Sequence, residues 1–203
     1  MIISEFKQLS DEWFCERAGL PTASNFDKIV TSKGEPSKQA KKYMYQLAGE
    51  CITGQKEESY TNSAMQRGIE LEDEARSLYE IATGYSVETV GLCWKDDKKL
   101  VGASPDGLIN DPEGVEGCLE IKCPSMAVHV EYLLADKLPT AYFQQVHGQM
   151  YVTGALYCSF VSYYPGMKPL IYRVERDEEF MGKLESELDK FCNELKETTR
   201  RLA

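Results

Sequence analysis

The chain has 203 residues, of which 42% are hydrophobic and 28% are charged, and its formal net charge at pH 7 is −10. This length suffices for one domain with a substantial core, and the composition is that of an ordinary globular protein. No apolar run approaches the roughly 18 residues of a membrane span. The N-terminal stretch MIISEFKQLSDEWF is acidic where a secretory signal would be basic and then apolar. We therefore expect a soluble cytoplasmic protein with no membrane partner.

The negative net charge by itself argues against nucleic acid as a partner, but the charges are unevenly distributed. Residues 46–120 hold 16 acidic and 6 basic side chains, whereas residues 1–45 hold 6 acidic and 7 basic ones. A metal-binding acidic segment beside a slightly basic flank fits this distribution. A solvated acidic face fits it equally well, so charge alone does not decide between the two.

The seven cysteines include no C-x-x-C pair. The nearest two, Cys118 and Cys123, would face opposite sides of one strand. We expect reduced, mostly buried thiols rather than disulfides or a zinc site. His129 and His147 are the only histidines, too few for a histidine-based zinc site.

The first part of the chain is predicted to be helical. Ser10 is placed to cap a short helix containing Trp13 and Phe14, and Ser24 is placed to cap another. A long helix is predicted over residues 37–53.

A second long helix is predicted from Asn62 to about Thr83, closed by Gly84. Five residues of this helix recur at helical spacing and are predicted to lie near one face: Met65, Ile69, Glu72, Leu78 and Ile81.

After this helix the hydrophobic period changes to that of strands. Strands are predicted over residues 85–94, 99–103, 117–123, 156–164 and 170–174, with turns at 106–107, 111–114 and 165–166. Further helices are predicted over residues 125–135, 140–153 and 177–202. The last helix has an apolar stripe, Met181, Leu184, Leu188, Phe191 and Leu195, that we interpret as core contact. The pattern predicts an α/β fold, a single domain with a central mixed β-sheet flanked by helices.

A possible metal site lies in the stretch GASPDGLINDPEGVEGCLEIKCP. Asp106 is at a predicted turn, and Glu120 and Lys122 share one face of the following strand. Hard divalent cations need oxygen ligands, which two carboxylates and a backbone carbonyl would supply. Such a site would leave room for a water and a phosphate oxygen. Lys122 would then position or deprotonate the attacking water, or neutralise charge on the phosphorane that the attack forms. The alternative is a half-exposed ion pair between Glu120 and Lys122.

Five motifs occur in an order that resembles one family. They are WFCERAGLPTAS (13–24), RGIELEDEAR (67–76), SPDGL (104–108), LEIKCP (119–124) and FQQVHGQMYVTG (143–154). Together they resemble the lambda-type alkaline exonucleases, or YqaJ-like viral recombinases, of the PD-(D/E)xK nuclease superfamily. The resemblance implies a restriction-endonuclease-like core and spans residues 13 to about 165.

The resemblance also implies roles for residues of the candidate metal site. Asp106, Glu120 and the Ile121 carbonyl would bind catalytic Mg²⁺, with Lys122 completing the signature. Glu72 matches a helix glutamate that supports a second metal ion or its waters. Two Mg²⁺ ions per site are implied, with Mn²⁺ as a possible substitute. A solvated acidic face is the alternative for the helix of Glu72.

Other matched residues would contact DNA or support the site. Gln145 matches an active-site glutamine, although a core amide is the alternative. Arg17 and Ser24 match residues that receive a 5′-terminal phosphate, a role suited to a guanidinium fork. Arg17 would otherwise be only a helical neighbour of Trp13. His147 departs from the pattern, because glutamine stands there in the lambda protein.

The implied activity is Mg²⁺-dependent 5′-to-3′ digestion of double-stranded DNA ends to 5′-mononucleotides. A single-strand-annealing protein would use the 3′ overhangs, and a homotrimeric ring would enclose the product strand. Residues 1–60 would bind the 5′ end, 61–175 would form the nuclease core, and 177–202 the terminal helix. A specific endonuclease and a catalytically silent DNA-end-binding module are the alternatives. No G-x-S-x-G hydrolase motif or EF-hand loop is present.

Overall fold

The computed structural model describes residues 1–56, 63–111, 114 and 116–203. The helices are α1 (Asp11–Arg17), α2 (Ala40–Thr53), α3 (Ser63–Thr83), α4 (Met126–Ala135), α5 (Phe143–Thr153) and α6 (Glu178–Leu202). The strands are β1 (Ile2–Ile3), β2 (Ser86–Glu88), β3 (Cys93–Trp94), β4 (Gly102–Ala103), β5 (Gly107–Asn110), β6 (Glu116–Lys122), β7 (Tyr157–Ser162) and β8 (Leu170–Glu175). Short 3₁₀ helices cover Ala23–Lys28 and Thr140–Tyr142. The predicted α/β class is confirmed.

The central sheet has five strands in the order β2-β5-β6-β7-β8. Strands β6 and β7 are parallel, and every other neighbouring pair in this sheet is antiparallel. Parallel neighbours need a crossover connection, which here contains α4 and α5. Both β6 and β7 are almost wholly buried because helices cover the sheet. A smaller sheet, β1-β3-β4, packs beside α1.

The alternation of side chains along β6 separates two apolar cores. Cys118 faces the larger core, which includes residues of α2, α5 and α6. Leu119 and Ile121 face a second core, to which Ala75 and Tyr79 of α3 contribute. Residue 120 therefore points to the α5 side of the sheet, by the strand period of two.

Helix α6 confirms the predicted terminal helix. Asp177 caps it by accepting a hydrogen bond from the Phe180 N–H at 2.9 Å. All five residues of the predicted stripe are buried: Met181, Leu184, Leu188, Phe191 and Leu195. The stripe is therefore core contact.

The predicted face of α3 is only partly right: Leu78 packs against the second core, but Ile69 and Ile81 are exposed. The exposed fractions of these two residues are 43% and 81%, whereas Ala75 and Tyr79 are buried. The Tyr79 hydroxyl forms a hydrogen bond with Ser159 of β7 at 2.9 Å, which fixes that side of the helix against the sheet. The predicted closure at Gly84 is confirmed by its positive φ of 74°. Asn62 and the Met65 side chain lie outside the described residues.

Other local predictions were partly wrong. Ser10 caps α1 as predicted, accepting from the Trp13 N–H. Ser24 does not cap a helix, because the 3₁₀ helix begins at Ala23 and its N-cap is Thr22.

The predicted turn at 106–107 instead opens β5, a strand that the sequence pattern missed. Gly107 is required there because a Cβ atom would lie 2.1 Å from the Val87 Cγ1. The predicted strand 85–94 is divided between β2 and β3, which belong to different sheets.

All seven cysteines are free, and five of them are buried, which confirms the expected thiols. Among the described residues, no helix is long and apolar enough to cross a membrane.

Candidate active site

The antiparallel pair β5 and β6 brings the three signature residues together. Asp106 lies directly before β5, and its N–H donates to the Leu119 carbonyl at 2.9 Å. Its Oδ2 accepts a hydrogen bond from the Ile121 N–H at 2.6 Å. On the same strand, the Lys122 ammonium is paired with Oε1 of Glu120. The residues of the P-D and E-x-K motifs therefore form one cluster.

The ion pair of the alternative interpretation is present, with a Lys122 side chain that is 29% exposed and a Glu120 side chain that is 1% exposed. Two amides of α5 donate to the Glu120 carboxylate. Gln145 Nε2 donates to Oε1 at 2.7 Å, and Gln149 Nε2 donates to Oε2 at 2.5 Å. Gln145 therefore lies beside Glu120, and its predicted active-site role stays a prediction; Gln149 was missed. Its four-residue spacing from Gln145, which puts both on one helical face, is the signal that could have found it.

Helix α3 contributes Glu72 and a second missed residue, Arg76. The Arg76 guanidinium contacts Glu72 Oε1 at 2.5 Å and donates from Nε to the Asp106 carbonyl at 3.2 Å. It also pairs with the exposed Asp73 at 2.5 Å. Arg76 thus connects α3 to the backbone of Asp106. Its position four residues after Glu72 in RGIELEDEAR was the available signal.

The carboxyl groups of the site lie close enough to perturb one another. Burial, then Glu120 and Glu72, raise the pKa of Asp106 well above its usual value, with Lys122 opposing the rise. Burial also raises the pKa of Glu72, although Arg76 opposes it. The local cations therefore compensate the negative charge only in part.

Lys122 is a charged ammonium in this environment. Burial alone would lower its pKa, but Glu120 and Asp106 more than offset burial and raise it. Its Nζ also lies 5.3 Å from the centre of the Tyr142 ring, a cation–π distance. Among the predicted roles for Lys122, this state favours charge neutralisation or water orientation over proton abstraction.

The donor set fits a hard divalent cation. Asp106 and Glu120 present carboxylate oxygens, the ligand type that Mg²⁺ prefers. The raised pKa of Asp106 marks negative charge that a cation would relieve. In the described parts of the chain, no group of three or more His, Cys, Asp or Glu side chains could hold a metal ion by itself. Glu72 and the Ile121 carbonyl therefore remain predicted ligands.

A second polar cluster surrounds Arg17, at the end of α1. The guanidinium lies 4.2 Å from the centre of the Trp13 ring, as a helical neighbour would. It also donates to the Ser104 hydroxyl at 3.0 Å and reaches the Thr22 hydroxyl at 3.4 Å. The Thr22 hydroxyl lies 3.3 Å from that of Ser24. Arg17 and Ser24 thus belong to one group of donors, and Ser104, two residues before Asp106, was missed.

The Arg17 side chain is buried without full compensation. Burial lowers its pKa to about 10, although Tyr43 and Glu50 act in the opposite direction. Its Nε is buried with no hydrogen-bond partner among the described residues. A buried guanidinium with an unused donor is suited to an anionic group.

His147 is directed away from the site. Its Nδ1 lies 2.9 Å from the Phe143 carbonyl, and its ring packs against Phe143 and Phe180. Burial lowers its pKa, so the imidazole is neutral at pH 7. The departure from the family pattern at this position is therefore accommodated by core packing.

Comparison with known proteins identifies the family. The profile of the YqaJ-like viral recombinase domain matches residues 12–156. The chain belongs to this family. Every predicted site residue of this YqaJ-like chain lies within the matched region. Among curated proteins, no relative matches significantly.

Two crystal structures of the alkaline exonuclease LHK-Exo from Laribacter hongkongensis are similar to this YqaJ-like chain. Both are 36% identical and cover 95% of this chain and 96% of their own. Their TM-scores are 0.84 and, for the complex with dAMP, 0.83. A phage-related exonuclease from Haemophilus somnus 129PT has 15% identity and a TM-score of 0.68, covering 91% of this chain and 96% of its own. This last similarity supports the fold alone.

Proposed function

We propose that the protein is a Mg²⁺-dependent exonuclease that digests one strand of double-stranded DNA from its 5′ end. The observation that carries the proposal is the cluster of Asp106, Glu120 and Lys122 in a member of the YqaJ-like family. The similarity to LHK-Exo, an alkaline exonuclease crystallised with dAMP, supports DNA as the substrate. The expected products are 5′-mononucleotides and duplexes with 3′ overhangs.

Each residue of the cluster has a task in this proposal. Asp106 and Glu120 hold Mg²⁺, assisted by the Ile121 carbonyl and, for a second ion, by Glu72; Mn²⁺ is a possible substitute. Bound Mg²⁺ would supply Lewis-acid polarisation of the phosphodiester and a nucleophilic water at neutral pH.

The remaining residues prepare the carboxylates and stabilise charge. The Lys122 ammonium neutralises charge that develops on the phosphate in the transition state. Gln145 holds Oε1 of Glu120, so that this carboxylate keeps one orientation.

Digestion of two DNA forms tests the proposal. Linear duplex should be degraded with Mg²⁺ and left intact with EDTA, whereas covalently closed circular duplex should survive both. Cleavage of the circle would favour the endonuclease alternative. Binding of ends without any Mg²⁺-dependent degradation would favour the silent module.

Polarity is proposed to depend on Arg17. A terminal phosphate monoester carries nearly two negative charges and an internal phosphodiester carries one, so a guanidinium fork favours the terminus. The hydroxyls of Ser104 and Thr22 contact the guanidinium, and the Ser24 hydroxyl lies 3.3 Å from that of Thr22; these three groups would complete the contacts.

Arg17→Ala should therefore digest 5′-phosphorylated duplex about ten- to a hundredfold more slowly, at a rate close to that on 5′-hydroxyl duplex. The estimate follows from about 1.5–3 kcal/mol for hydrogen bonds to charged groups. Arg173→Ala is a matched control, because Arg173 also stacks on a ring, that of Tyr157, at 3.5 Å. Initial rates on the two end types measure the effect. An unchanged phosphate preference in Arg17→Ala would assign end recognition to other residues.

The assembly and the partner are further parts of the proposal. Family resemblance suggests a homotrimeric ring and an annealing protein that receives the 3′ overhang. A ring would suit a chain of net charge −10, because encirclement retains DNA without a uniformly basic surface.

A further inference from the structure

The hydrogen bonds of Glu120 leave one side of its carboxylate incompletely used. A carboxylate offers about four lone-pair positions, two on each oxygen. Oε1 receives both the Gln145 amide and the Lys122 ammonium, whereas Oε2 receives the Gln149 amide. Counting the described residues, one acceptor position therefore remains, and it belongs to Oε2, the oxygen that Gln149 holds.

The Gln149 amide has a fixed orientation. Its side chain is 1% exposed, and its Oε1 accepts a hydrogen bond from the Cys158 thiol at 3.7 Å. Burial raises the pKa of Cys158 well above its usual value, so the thiol keeps its proton and remains a donor. A rotated amide would place its oxygen against Glu120 and its NH₂ against the thiol. The NH₂ group of Gln149 is therefore committed to Glu120.

The origin of this arrangement lies in the pairing of β6 with β7. Cys158 of β7 is the register partner of Cys118, and Cys118 is on the same face of β6 as Glu120. Gln149 projects from α5 and contacts both Glu120 and Cys158. A side chain that supported only the core would need no amide here, because an apolar residue of similar volume would avoid the cost of burying polar atoms.

We propose that Gln149 is a positioning residue for the divalent metal ion: by holding Oε2 of Glu120 through an amide anchored on Cys158, it sets the affinity of the site for the cation. The inference rests on the proposed function in that Glu120 is a metal ligand. It assigns to Gln149 an effect on metal binding rather than a contact with DNA.

The test is calorimetric titration of Gln149→Met with Mg²⁺ and with Mn²⁺. Methionine keeps the approximate volume and removes the donor. Removing a group that orients a metal ligand typically weakens metal binding or activity about 10- to 100-fold, and we expect a loss of affinity in that range. In the digestion of linear duplex, the Mg²⁺ concentration for half-maximal rate should rise by a similar factor, while kcat at saturating Mg²⁺ should stay near that of the wild type.

Gln144→Met is the matched control. Gln144 is a buried glutamine of the same helix, but its amide donates to the Val30 carbonyl at 3.3 Å and not to the site. Its substitution should leave Mg²⁺ affinity unchanged. Should Gln149→Met fail to fold, Gln149→Asn is titrated instead, since it keeps a buried amide but shortens its reach by one methylene group.

Wild-type Mg²⁺ affinity in a folded Gln149 variant would overturn the inference and make Gln149 a core residue. The fate of the proposed function is read separately, from wild-type digestion of linear duplex. Weakened metal binding by Gln149→Met, with no degradation by the wild type, would keep the inference and remove the exonuclease. Degradation by the wild type, together with wild-type Mg²⁺ affinity in Gln149→Met, would overturn the inference and keep the exonuclease.

Discussion

Asp106→Asn should abolish Mg²⁺-dependent degradation of linear duplex while raising the melting temperature of the metal-free protein. The loss should be at least about 10³-fold, because metal-ion stabilisation of the transition state contributes several kcal/mol and each 1.36 kcal/mol is tenfold in rate. Asparagine retains an oxygen for the Ile121 N–H, which Asp106 Oδ2 now accepts at 2.6 Å. The fold should therefore persist.

The stabilisation follows from the direction of the pKa shift. The pKa of Asp106 is raised by burial and by the neighbouring carboxylates, so the folded state loses stability as pH rises from the ordinary aspartate range through the raised value. Asparagine does not ionise and avoids that loss. Each 1 kcal/mol regained is worth about 2–4 °C in a domain of this size. Thermal melts in EDTA at neutral pH measure the gain.

Asp97→Asn, a substitution at an exposed aspartate, is the control. It should change neither the rate of duplex degradation nor the melting temperature. Near-wild-type cleavage by folded Asp106→Asn would remove Asp106 from the metal site.

Glu120→Ala should also lose cleavage, but we expect it to lower the melting temperature. Its removal would leave Lys122, Gln145 and Gln149 without their shared acceptor.

Lys122→Met should lose about 10²-fold or more in cleavage rate, the scale of a positioned proton-transfer or charge-stabilising group. The structure favours charge stabilisation, because Glu120 and Asp106 keep Lys122 protonated. Mg²⁺ binding should survive the substitution, since the carboxylates that we propose as its ligands remain. Rates at saturating Mg²⁺, together with calorimetry, separate these two effects.

Lys183→Met is a control for the loss of a lysine charge, because Lys183 forms an exposed pair with Glu179 at 2.7 Å. It should leave the rate unchanged. Failure of Lys122→Met to bind Mg²⁺ would show that Lys122 assembles the site instead of acting on the phosphate.

The sequence predicted those features in which local pattern and tertiary contact agree. The period of two on β6 placed Glu120 and Lys122 on one face, and they are in contact. The apolar stripe of α6 predicted its buried side, because large residues at helical spacing had no competing polar signal. Family resemblance, rather than pattern, identified Gln145 and Arg17.

The misses have a common physical cause, which is that the deciding partner lies far away in the chain. Ile69 and Ile81 suggested the wrong side of α3, because the contacts that orient the helix are made by Leu71, Leu78 and the Tyr79 hydroxyl with a distant part of the chain. Gln149 is polar and gives no periodic signal by itself. Its importance depends on Glu120, 29 positions earlier.

Residues 104–106 limit the distance between the two polar clusters of the protein. Ser104 touches the Arg17 guanidinium, and Asp106 belongs to the proposed metal site, so two polar clusters are joined by one intervening residue. Two residues span at most about 7 Å, and Pro105 stiffens the link by fixing its own φ and restricting Ser104. Gln8 further holds the Pro105 carbonyl at 2.8 Å. The segment 104–106 therefore keeps the proposed phosphate contact at Arg17 at a nearly fixed distance from the proposed metal site.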